Sequence, residues 1–477
     1  MLPSVIVLLM LLSCTCGENP AIQVILTNKG LQYGKHAGVG LIQEKLEKVT
    51  FPDINGDINI GIGKIYYTLT GVTITKCDLP EPSVEFFQNS TGFKTSISDL
   101  SVALTGNWQA RFGIIHDSGS FNMAIYNVGV TSVLELGRDA NGHLSVTSDS
   151  CYAQVGNVDV NFHGGASWIF NPFVHHFKGH IIENIQRRIC PVVRESIGRL
   201  EYHLQAMNVS FDVDQVLTLD LPLTNLPIIS ASSLKLGLKG EFYSIKTHQK
   251  PPFVAKPFIL PEQPGYMMSL GLSEFTLNSA AFGYFSAGAL QALINDSMIP
   301  PLSPVHLNTS SMGMFFPELP KRFPGLLMNL QVCAREAPVF SLQSGAVGLG
   351  VQVVAAAVAI EPNGTQIPLF KINADSKVSG KLWITDELLK GKVMLDNLTL
   401  TLVSSEVGTV KIDVLENAVK TGMKLLVIPH VNEKLNKGIV LPRMKHAQLV
   451  NSVLKLEEGF IALSSDAKML QTGRSEQ

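Results

Sequence analysis

Three side chains with metal-ligand chemistry share one face of a predicted helix in the first half of the chain. His176, His180 and Glu183 are spaced i, i+4 and i+7, as zinc ligands on one helix can be. His175 lies beside them, and His163 lies upstream. No second ligand pair at comparable spacing completes a closed site. The pattern is more typical of half-exposed histidines on an amphipathic helix, so we predict no metal and no other cofactor.

Sequence motifs of the common enzyme classes are missing. The chain has no G-x-S-x-G elbow, no H-E-x-x-H pair and no Walker A loop, and no C-x-x-C pair follows its first 17 residues. The glycine pairs around Gly61 and Gly348 lie in strand-like patterns, where a twisted sheet explains them. We therefore predict that the protein is not an enzyme. A hydrolase acting on lipids is the least favoured hypothesis.

The balance of basic and acidic residues excludes a positive electrostatic field over the whole protein. The 477 residues carry 37 Lys and Arg against 39 Asp and Glu, a net charge of −2, and only 16% of residues are charged. The first 245 residues hold 16 basic and 21 acidic side chains. This balance predicts no nucleic-acid partner. An anionic ligand must be held by a few local cations.

The first 17 residues predict a secretory signal peptide. An apolar run precedes small residues, with cleavage expected near Cys16 or Gly17. The alternative is a bacterial lipoprotein signal ending at Cys14. Six N-x-[ST] sequons favour secretion and are candidate glycosylation sites. They begin at Asn89, Asn208, Asn295, Asn308, Asn363 and Asn397. No later apolar run is long enough for a transmembrane helix.

Four cysteines remain after the predicted leader is removed, and four cysteines allow three complete pairings. Cys151 and Cys190 lie in the first half and flank a strand-then-helix stretch. We predict a disulfide between these two. Cys77 and Cys333 lie in different halves and are expected to stay free.

A proline-rich strap divides the chain. Residues 246–265 hold five prolines, which predicts an extended, semi-rigid segment. Short matches recur in order on its two sides: Asn28 with Asn278, and Pro191 with Pro429. This indicates two copies of one domain, predicted at 18–245 and 266–477.

Each copy reads as helix, long strands, helix. We predict helices over 28–48 and 172–204 in the first copy, the latter with a kink at Pro191, and over 279–296 and 413–437 in the second. Alternating apolar residues predict strands between them. The strands expected at 234–244 and 267–275 bracket the strap and are predicted to pair in a central sheet.

The first helix carries glycines four residues apart, which leave a bare groove along one face. Close packing of the helix on a sheet is one explanation. The other is that lipid acyl chains lie against the bare backbone. The candidate lipid-slot residues are Leu31, Gly34, Gly38, Leu41 and Ile42.

Several motifs together resemble the family of bactericidal/permeability-increasing protein and lipopolysaccharide-binding protein, which includes plasma lipid transfer proteins. They are Asn19-Pro20 with residues 31–38, Gly106-x-Trp108, Cys151 with Cys190, LKGEFYS at 238–244, LGLSEF at 270–275 and VNEKLNKG at 431–438. The resemblance implies an α+β fold. Two similar elongated barrels, each an antiparallel sheet with two helices, would form a boomerang joined by a central sheet and the Pro-rich linker.

The resemblance also implies an apolar lipid slot in each barrel and a lipid A site at the tip of the first. The matching hairpin reads NWQARFGIIH at 107–116, with Arg111 as its only fixed cation, where the bactericidal relatives look lysine-rich. The tip candidates are Lys48, Lys64, Trp108, Arg111 and Phe112. Trp108 and Phe112 are expected to be exposed at a membrane interface. The alternative is that Trp108 closes the barrel end as a core residue.

The family therefore implies a secreted, monomeric lipid-binding protein of innate immunity. Its partners would be lipopolysaccharide, phospholipid and the bacterial outer membrane surface. The alternative is a carrier or transfer protein for phospholipid or neutral lipid with no microbial role.

Overall fold

The computed structural model describes residues 18–46, 52–59, 61–165, 174–299, 303, 305–441 and 447–470. The predicted signal peptide and the tip candidate Lys48 lie outside these residues.

Long strands dominate the first half. Its helices are α1 (Asn28–Leu46) and α2 (Val174–Gln205). Its strands are β1 (Ile22–Thr27), β2 (Ile54–Asn59), β3 (Lys64–Asp78), β4 (Ser83–Phe87), β5 (Gly92–Phe112), β6 (Ile115–Arg138), β7 (Leu144–His163), β8 (Ser210–Asp212), β9 (Leu217–Asp220), β10 (Ile228–Ile229), β11 (Ser233–Leu238) and β12 (Glu241–Ser244).

The second half repeats this succession. Its helices are α3 (Glu274–Ser286), α4 (Leu319–Arg322), α5 (Ile412–Gly422) and α6 (Ile428–Lys437), with a π-helical turn at Met423–Val427 between the last two. Its strands are β13 (Met268–Ser273), β14 (Gln291–Asn295), β15 (Leu327–Ala334), β16 (Val339–Gln343), β17 (Ala346–Ile360), β18 (Gln366–Thr385), β19 (Leu388–Ser405), β20 (Ile439–Val440), β21 (Ala447–Glu457) and β22 (Phe460–Met469).

Two curled antiparallel sheets have the same order. The first runs β2-β3-β5-β6-β7, with β4 paired to β5, and the second runs β14-β15-β17-β18-β19-β20, with β16 paired to β17. In each half a helix precedes the sheet and a longer helical segment follows it. The α+β fold and the duplicated order of elements are therefore as predicted.

A central six-stranded sheet joins the halves in the order β10-β11-β1-β13-β22-β21. The prediction that the two strands bracketing the strap pair with each other is wrong. They are β11 and β13, and β1 lies between them and pairs with both. The first of these predicted strands is also interrupted at Gly240, whose φ is +63°, so that β12 leaves for the small sheet β12-β9-β8.

The proline-rich strap has neither helix nor strand over residues 251–263, and it packs against the central sheet. The side chain of Gln23 in β1 donates to the carbonyl of Phe258 and accepts from the amide of Leu260. Leu260 is buried beside Ile25, and the Phe258 ring stacks on Phe460 at 4.7 Å. The strap is thus fixed by backbone and apolar contacts along its length.

The first helix of the second copy is shorter than predicted. It ends at Ser286, and residues of the predicted 279–296 helix form β14 and a short 3-10 turn instead. The last helix matches its predicted range, but the π-helical turn divides it just before Pro429. Proline lacks the N–H that a continuous α-helix needs, which accounts for a break at this place.

The helices α2 and α5–α6 supply the apolar cover of the two sheets. Four isoleucines of α2 pack on the inner faces of β6 and β7: Ile181, Ile182, Ile185 and Ile189. In the second half Leu415 of α5 and Ile428 of α6 join a core built around Phe316 and Phe370, whose rings stack at 4.1 Å. Among the described helices, none has the length and apolarity to cross a membrane.

Candidate functional site

One end of the first sheet carries the predicted tip hairpin. Strands β5 and β6 meet at a turn formed by Gly113 and Ile114, and β3 runs beside β5. The turn between β2 and β3 lies at the same end, because Ile65 pairs with Phe112. We call this end, from the two turns back to Thr68, Trp108 and Ser120, the first-half tip.

The prediction that Trp108 and Phe112 are exposed at this tip is wrong for Trp108. Trp108 is only 3% exposed and packs in a core cluster with Ile65 and Phe121. Its indole N–H donates to the carbonyl of His163 at 3.4 Å. Trp108 therefore closes the barrel end as a core residue, as the alternative stated. Phe112 is half-buried against the same cluster.

Strand alternation separates the two faces of the tip. Trp108, Ala110 and Phe112 point inward, and Gln109 and Arg111 point outward. The outward rows continue across three strands: Tyr66 faces Arg111, which faces His116, and Thr68 faces Gln109, which faces Ser118. A cleft of about 480 Å³ lies here, lined by these residues together with Tyr67, Ala110 and Asp117.

The cations of the tip differ in what they contact. Lys64 pairs with Asp57 at 2.8 Å, and the hydrogen bond to this carboxylate, with its charge, raises the pKa of Lys64. Lys64 is thus charged, but its charge is already paired with that of Asp57. Arg111 is exposed, and within the described ranges it makes no ion pair. The guanidinium of Arg111 is therefore the cation best placed to bind an anionic group in the cleft.

Sequence reasoning missed the polar partners Tyr66, Gln109, His116 and Ser118. The signal that could have found Tyr66 and Gln109 is their parity, because each stands one residue from an inward apolar side chain, Ile65 or Trp108. Sequence reasoning also missed the exposed isoleucines of the two turns, although apolar residues are unusual where hairpins prefer Asn-Gly or Asp-Gly.

The glycine face of α1 divides into two environments. A Cβ on Gly30 would come within 2.4 Å of the Met267 carbonyl oxygen, so this glycine allows close packing on the central sheet. A Cβ on Gly34 would meet no atom of the described residues within 4 Å. Leu31 packs against a core cluster with Phe86 and Ile197. Gly38, Leu41 and Ile42 lie in the helix, but their side chains are outside the described residues.

Polar contacts fix the first turns of α1. Lys29 donates to Asp466 of β22 at 2.8 Å and to the carbonyl of Gly265 at 2.9 Å. The Tyr33 hydroxyl accepts from the Met469 amide at 2.8 Å. The helix is thus held at its start by the central sheet and the strap, while Gly34 is exposed.

The disulfide predicted between Cys151 and Cys190 is present and ties β7 to α2, with Cα atoms 5.7 Å apart. Cys77 is buried and Cys333 is half-buried, and neither takes part in this disulfide.

No cluster of three or more metal-ligating side chains occurs in the described part of the chain. The side chains of His175, His176 and His180 lie outside it. Glu183 pairs with Arg187 on the helix surface.

The sequons differ in exposure. Asn89, Asn208, Asn363 and Asn397 are exposed, whereas Asn295 and Asn308 are half-buried. The side-chain oxygen of Asn308 also accepts from the Ser311 amide at 2.8 Å.

Comparison with known proteins agrees with this architecture. The model of the N-terminal domain of the LBP / BPI / CETP family matches residues 30–207, and that of the C-terminal domain matches residues 211–469. The chain belongs to the LBP/BPI/CETP family. Both of its halves are accounted for by this membership.

Named relatives match along nearly the whole chain. A bactericidal permeability-increasing protein of Sebastes schlegelii is 37% identical over 97% of this chain and 98% of its own. The lipopolysaccharide-binding proteins of Bos taurus and Homo sapiens are each 28% identical over 98% of both chains. A crystal structure of lipopolysaccharide binding protein superposes with a TM-score of 0.57 at 25% identity, covering 94% of this chain and 99% of that one.

Proposed function

We propose that this chain is a secreted, non-enzymatic lipid-binding protein of innate immunity. It binds the lipid A part of lipopolysaccharide at the first-half tip and holds phospholipid between helices and sheets. The observation that carries the proposal is the outward cleft of the tip, where Arg111 stands without an ion pair within the described ranges, between Tyr66 and His116. The printed names of the relatives above support the choice of ligand.

A phosphate in the cleft would meet the guanidinium of Arg111, the phenol of Tyr66 and the other polar side chains of the two outward rows. Arginine binds phosphate oxygens through two parallel N–H donors, which gives orientation as well as attraction. With so few cations the electrostatic share of affinity is small, and apolar burial of acyl chains must supply the rest, at about 0.8 kcal/mol for each buried CH₂.

The test is lipopolysaccharide binding by Arg111→Glu at low salt. We expect affinity to fall at least about tenfold, because a charge-assisted hydrogen bond contributes roughly 1.5–3 kcal/mol. The loss should shrink at high salt, since the charges are exposed. Lys381→Glu, the same charge change on the exposed face of β18, is the matched control and should bind as the wild type does. Equal binding by Arg111→Glu and wild type would remove lipid A recognition from this cleft.

A second candidate function is the carriage or transfer of phospholipid or neutral lipid. The near-neutral charge and the absence of described atoms within 4 Å of a Cβ on Gly34 favour it. Mass spectrometry of lipid extracted from wild type and from Gly34→Leu tests the slot, because the added side chain would fill that space. Less phospholipid per mole in the folded variant is expected. Unchanged lipid content would mean that α1 only packs on the sheet and does not line a lipid slot. Lipid uptake without lipopolysaccharide binding in the wild type would favour this second function over the first.

A further inference from the structure

The first strand of the second curled sheet has a free edge. β14 pairs with β15 on one side, and no other described strand pairs with it. Three of its five residues, Gln291, Ala292 and Leu293, are exposed. The unpaired N–H and C=O groups of such an edge can pair with a strand of another chain. Folded proteins therefore block a free edge with a charge, a proline, a bulge or a cover.

The corresponding strand of the first sheet carries such a charge. β2 is likewise the end strand of its sheet, and it holds Asp57, which pairs with Lys64 at 2.8 Å. A carboxylate within an edge strand opposes pairing with a second chain. β14 reads QALIN and has no charged residue, no proline and no bulge. The edge of β14 is therefore not blocked by the side chains of common edge strands.

An N-x-[ST] sequon stands at the end of β14. Asn295 is the last residue of the strand, and Asp296 and Ser297 complete the sequon. The hydroxyl of Ser297 donates to the side-chain oxygen of Asn295 at 2.6 Å. Although Asn295 is half-buried, its amide nitrogen makes no hydrogen bond to the described residues. A glycan on this nitrogen would therefore displace no hydrogen bond of the described fold.

Exposed leucines lie on both sides of this amide. Leu330 packs against the core, so alternation along β15 turns Leu327 and Asn329 outward. Asn329 pairs with Asn295, so Asn295 and Leu293 lie on the same outward face. Leu293 is 54% exposed and Leu327 is 57% exposed. Each lies roughly 7–8 Å from Asn295, one along the strand and the other diagonally across the ladder. A glycan at Asn295 would thus lie over both leucines and beside the free edge.

A second copy of this chain is the partner that the edge would accept. Two copies of β14 can pair antiparallel, with Leu293 opposite Leu293 and Gln291 opposite Asn295. No like charges meet in this register, and two leucines meet at its centre. A glycan on Asn295 would stand directly across from Gln291 of the second copy and block the pairing.

We propose that Asn295 carries an N-linked glycan that covers the free edge of β14 and keeps a second copy from pairing with it. The inference rests on the secretion that is part of the proposed function, because the oligosaccharide comes from a lipid-pyrophosphate donor in the secretory pathway. In the transfer the Asn295 amide nitrogen loses a proton and bonds to the first sugar carbon, and the bond from that carbon to the pyrophosphate oxygen breaks. The glycan is bulky and solubilising, so it replaces exposed leucine surface with hydrated surface.

The experiment expresses wild type and Asn295→Gln in a secreting animal cell line. Mass spectrometry of the peptide that contains residue 295, with and without enzymatic removal of glycans, measures occupancy. Size-exclusion chromatography with light scattering measures the fraction of dimers and larger species. We expect a glycan at Asn295 and a monomeric wild type. Asn295→Gln should raise the associated fraction at least about fivefold, because a freed edge pairs with another chain.

Further variants separate the edge from folding and from glycans in general. Leu293→Lys in the Asn295→Gln background puts a charge on the edge and should restore the wild-type state, whereas it would not rescue a misfolded protein. Ser297→Thr keeps the sequon and should behave as wild type, and Ser297→Ala should associate as Asn295→Gln does. Asn89→Gln removes an exposed sequon from the turn between β4 and β5 and should leave association unchanged.

An unmodified Asn295 in the secreted wild type would overturn the inference, and so would equal association of Asn295→Gln and wild type. Failure of Leu293→Lys to reverse the association, or an equal rise in Asn89→Gln, would also overturn it. Lipopolysaccharide binding is measured on the same wild-type preparation. A glycosylated, monomeric wild type that fails to bind lipopolysaccharide leaves the inference standing and refutes lipid A recognition. Lipopolysaccharide binding by a secreted wild type without a glycan at Asn295 refutes the inference alone.

Discussion

The two halves of the chain fold the same series of strands in the same order but attach their last helices differently. In the first half the disulfide between Cys151 and Cys190 joins β7 to α2. In the second half Asn432 of α6 accepts from the Val393 amide of β19 at 2.7 Å and donates to its carbonyl at 3.0 Å. The strand order of the duplicated unit therefore does not depend on either kind of link.

The turns at the ends of the sheets differ in the same way. The β17–β18 turn is polar and carries the exposed Asn363, whereas the β5–β6 turn carries Ile114. A copied fold thus keeps its core while its turns change, because turn side chains contribute little to packing. We therefore expect the two halves to differ most in their response to substitutions at the bonds that attach their last helices and at the turns of their sheets.

The largest effect is expected from removing the disulfide. The double variant Cys151→Ser/Cys190→Ser should lose about 3–4 kcal/mol of unfolding free energy, because a link across 39 residues restricts the unfolded chain. Urea unfolding under oxidising conditions measures this. A loss below about 1 kcal/mol would mean that the apolar contacts of α2 fix it without the covalent link.

The hydrogen bonds of Asn432, which attach the last helix of the second half, should contribute less unfolding free energy than the disulfide does. Asn432→Ala leaves a partly buried backbone N–H and C=O of Val393 without their partners, which should cost about 1–3 kcal/mol. Asn417→Ala, on the neighbouring helix α5, is a control, since the exposed Asn417 side chain makes no hydrogen bond to the described residues and its backbone carbonyl, which accepts from Thr421, is kept. Equal unfolding midpoints for Asn432→Ala and wild type would contradict the role given to this side chain.

The contact between the halves should depend on pH. Burial alone would raise the pKa of Asp466, but hydrogen bonds from Lys29, Asn451 and the Met267 amide outweigh burial, so its pKa lies below the ordinary value. Such a carboxylate stabilises the fold above its unfolded pKa of about 3.9, and this contribution is lost as pH falls through the lower folded value.

Asp466→Asn should therefore lower stability by about 1–2 kcal/mol at neutral pH, and the difference from wild type should shrink below about pH 4. Thermal unfolding across this range measures the effect. Glu433→Gln, which removes an exposed ion pair with Lys437, should show no comparable change. A pH-independent difference for Asp466→Asn would contradict the assignment.

The smallest effect concerns two glycines of α1. Gly34→Ala adds a methyl group within 4 Å of no described atom and should raise stability by about 0.5–1 kcal/mol, because alanine favours the helix. Gly30→Ala should lower it, since the new Cβ would clash with the Met267 carbonyl. Unfolding midpoints that move in the same direction for both variants would show that the two environments are not distinct.

Much of this architecture follows from local sequence patterns. The prolines of the strap, the alternating strands and the repeated Asn and Pro matches predict two copies with helices at their ends. These features depend on neighbouring residues, so they can be inferred from one sequence. The inward position of Trp108 could also have been inferred, because it shares parity with Ala110 and differs from Arg111.

Long-range pairing could not be inferred in this way. β1 pairs with both β11 and β13. The alternation of apolar residues in β11 or β13 does not indicate that β1 is the partner. The break at Gly240 likewise depends on a distant residue, because a Cβ there would lie 2.6 Å from Ile22. The tip cleft needs three strands in register, which the sequence of one hairpin does not supply.

The contact of the first-half tip with lipid is tested most directly by placing tryptophan at the two corresponding turns. Ile114→Trp and Asn363→Trp are mixed with vesicles of brominated phosphatidylcholine, and the fluorescence of the wild type, with its three native tryptophans, is subtracted. Bromine quenches only a tryptophan that enters the lipid layer. We predict strong quenching at position 114 and none at position 363. Equal quenching at both positions, or quenching at position 363 alone, would contradict the assignment of lipid contact to the first-half tip.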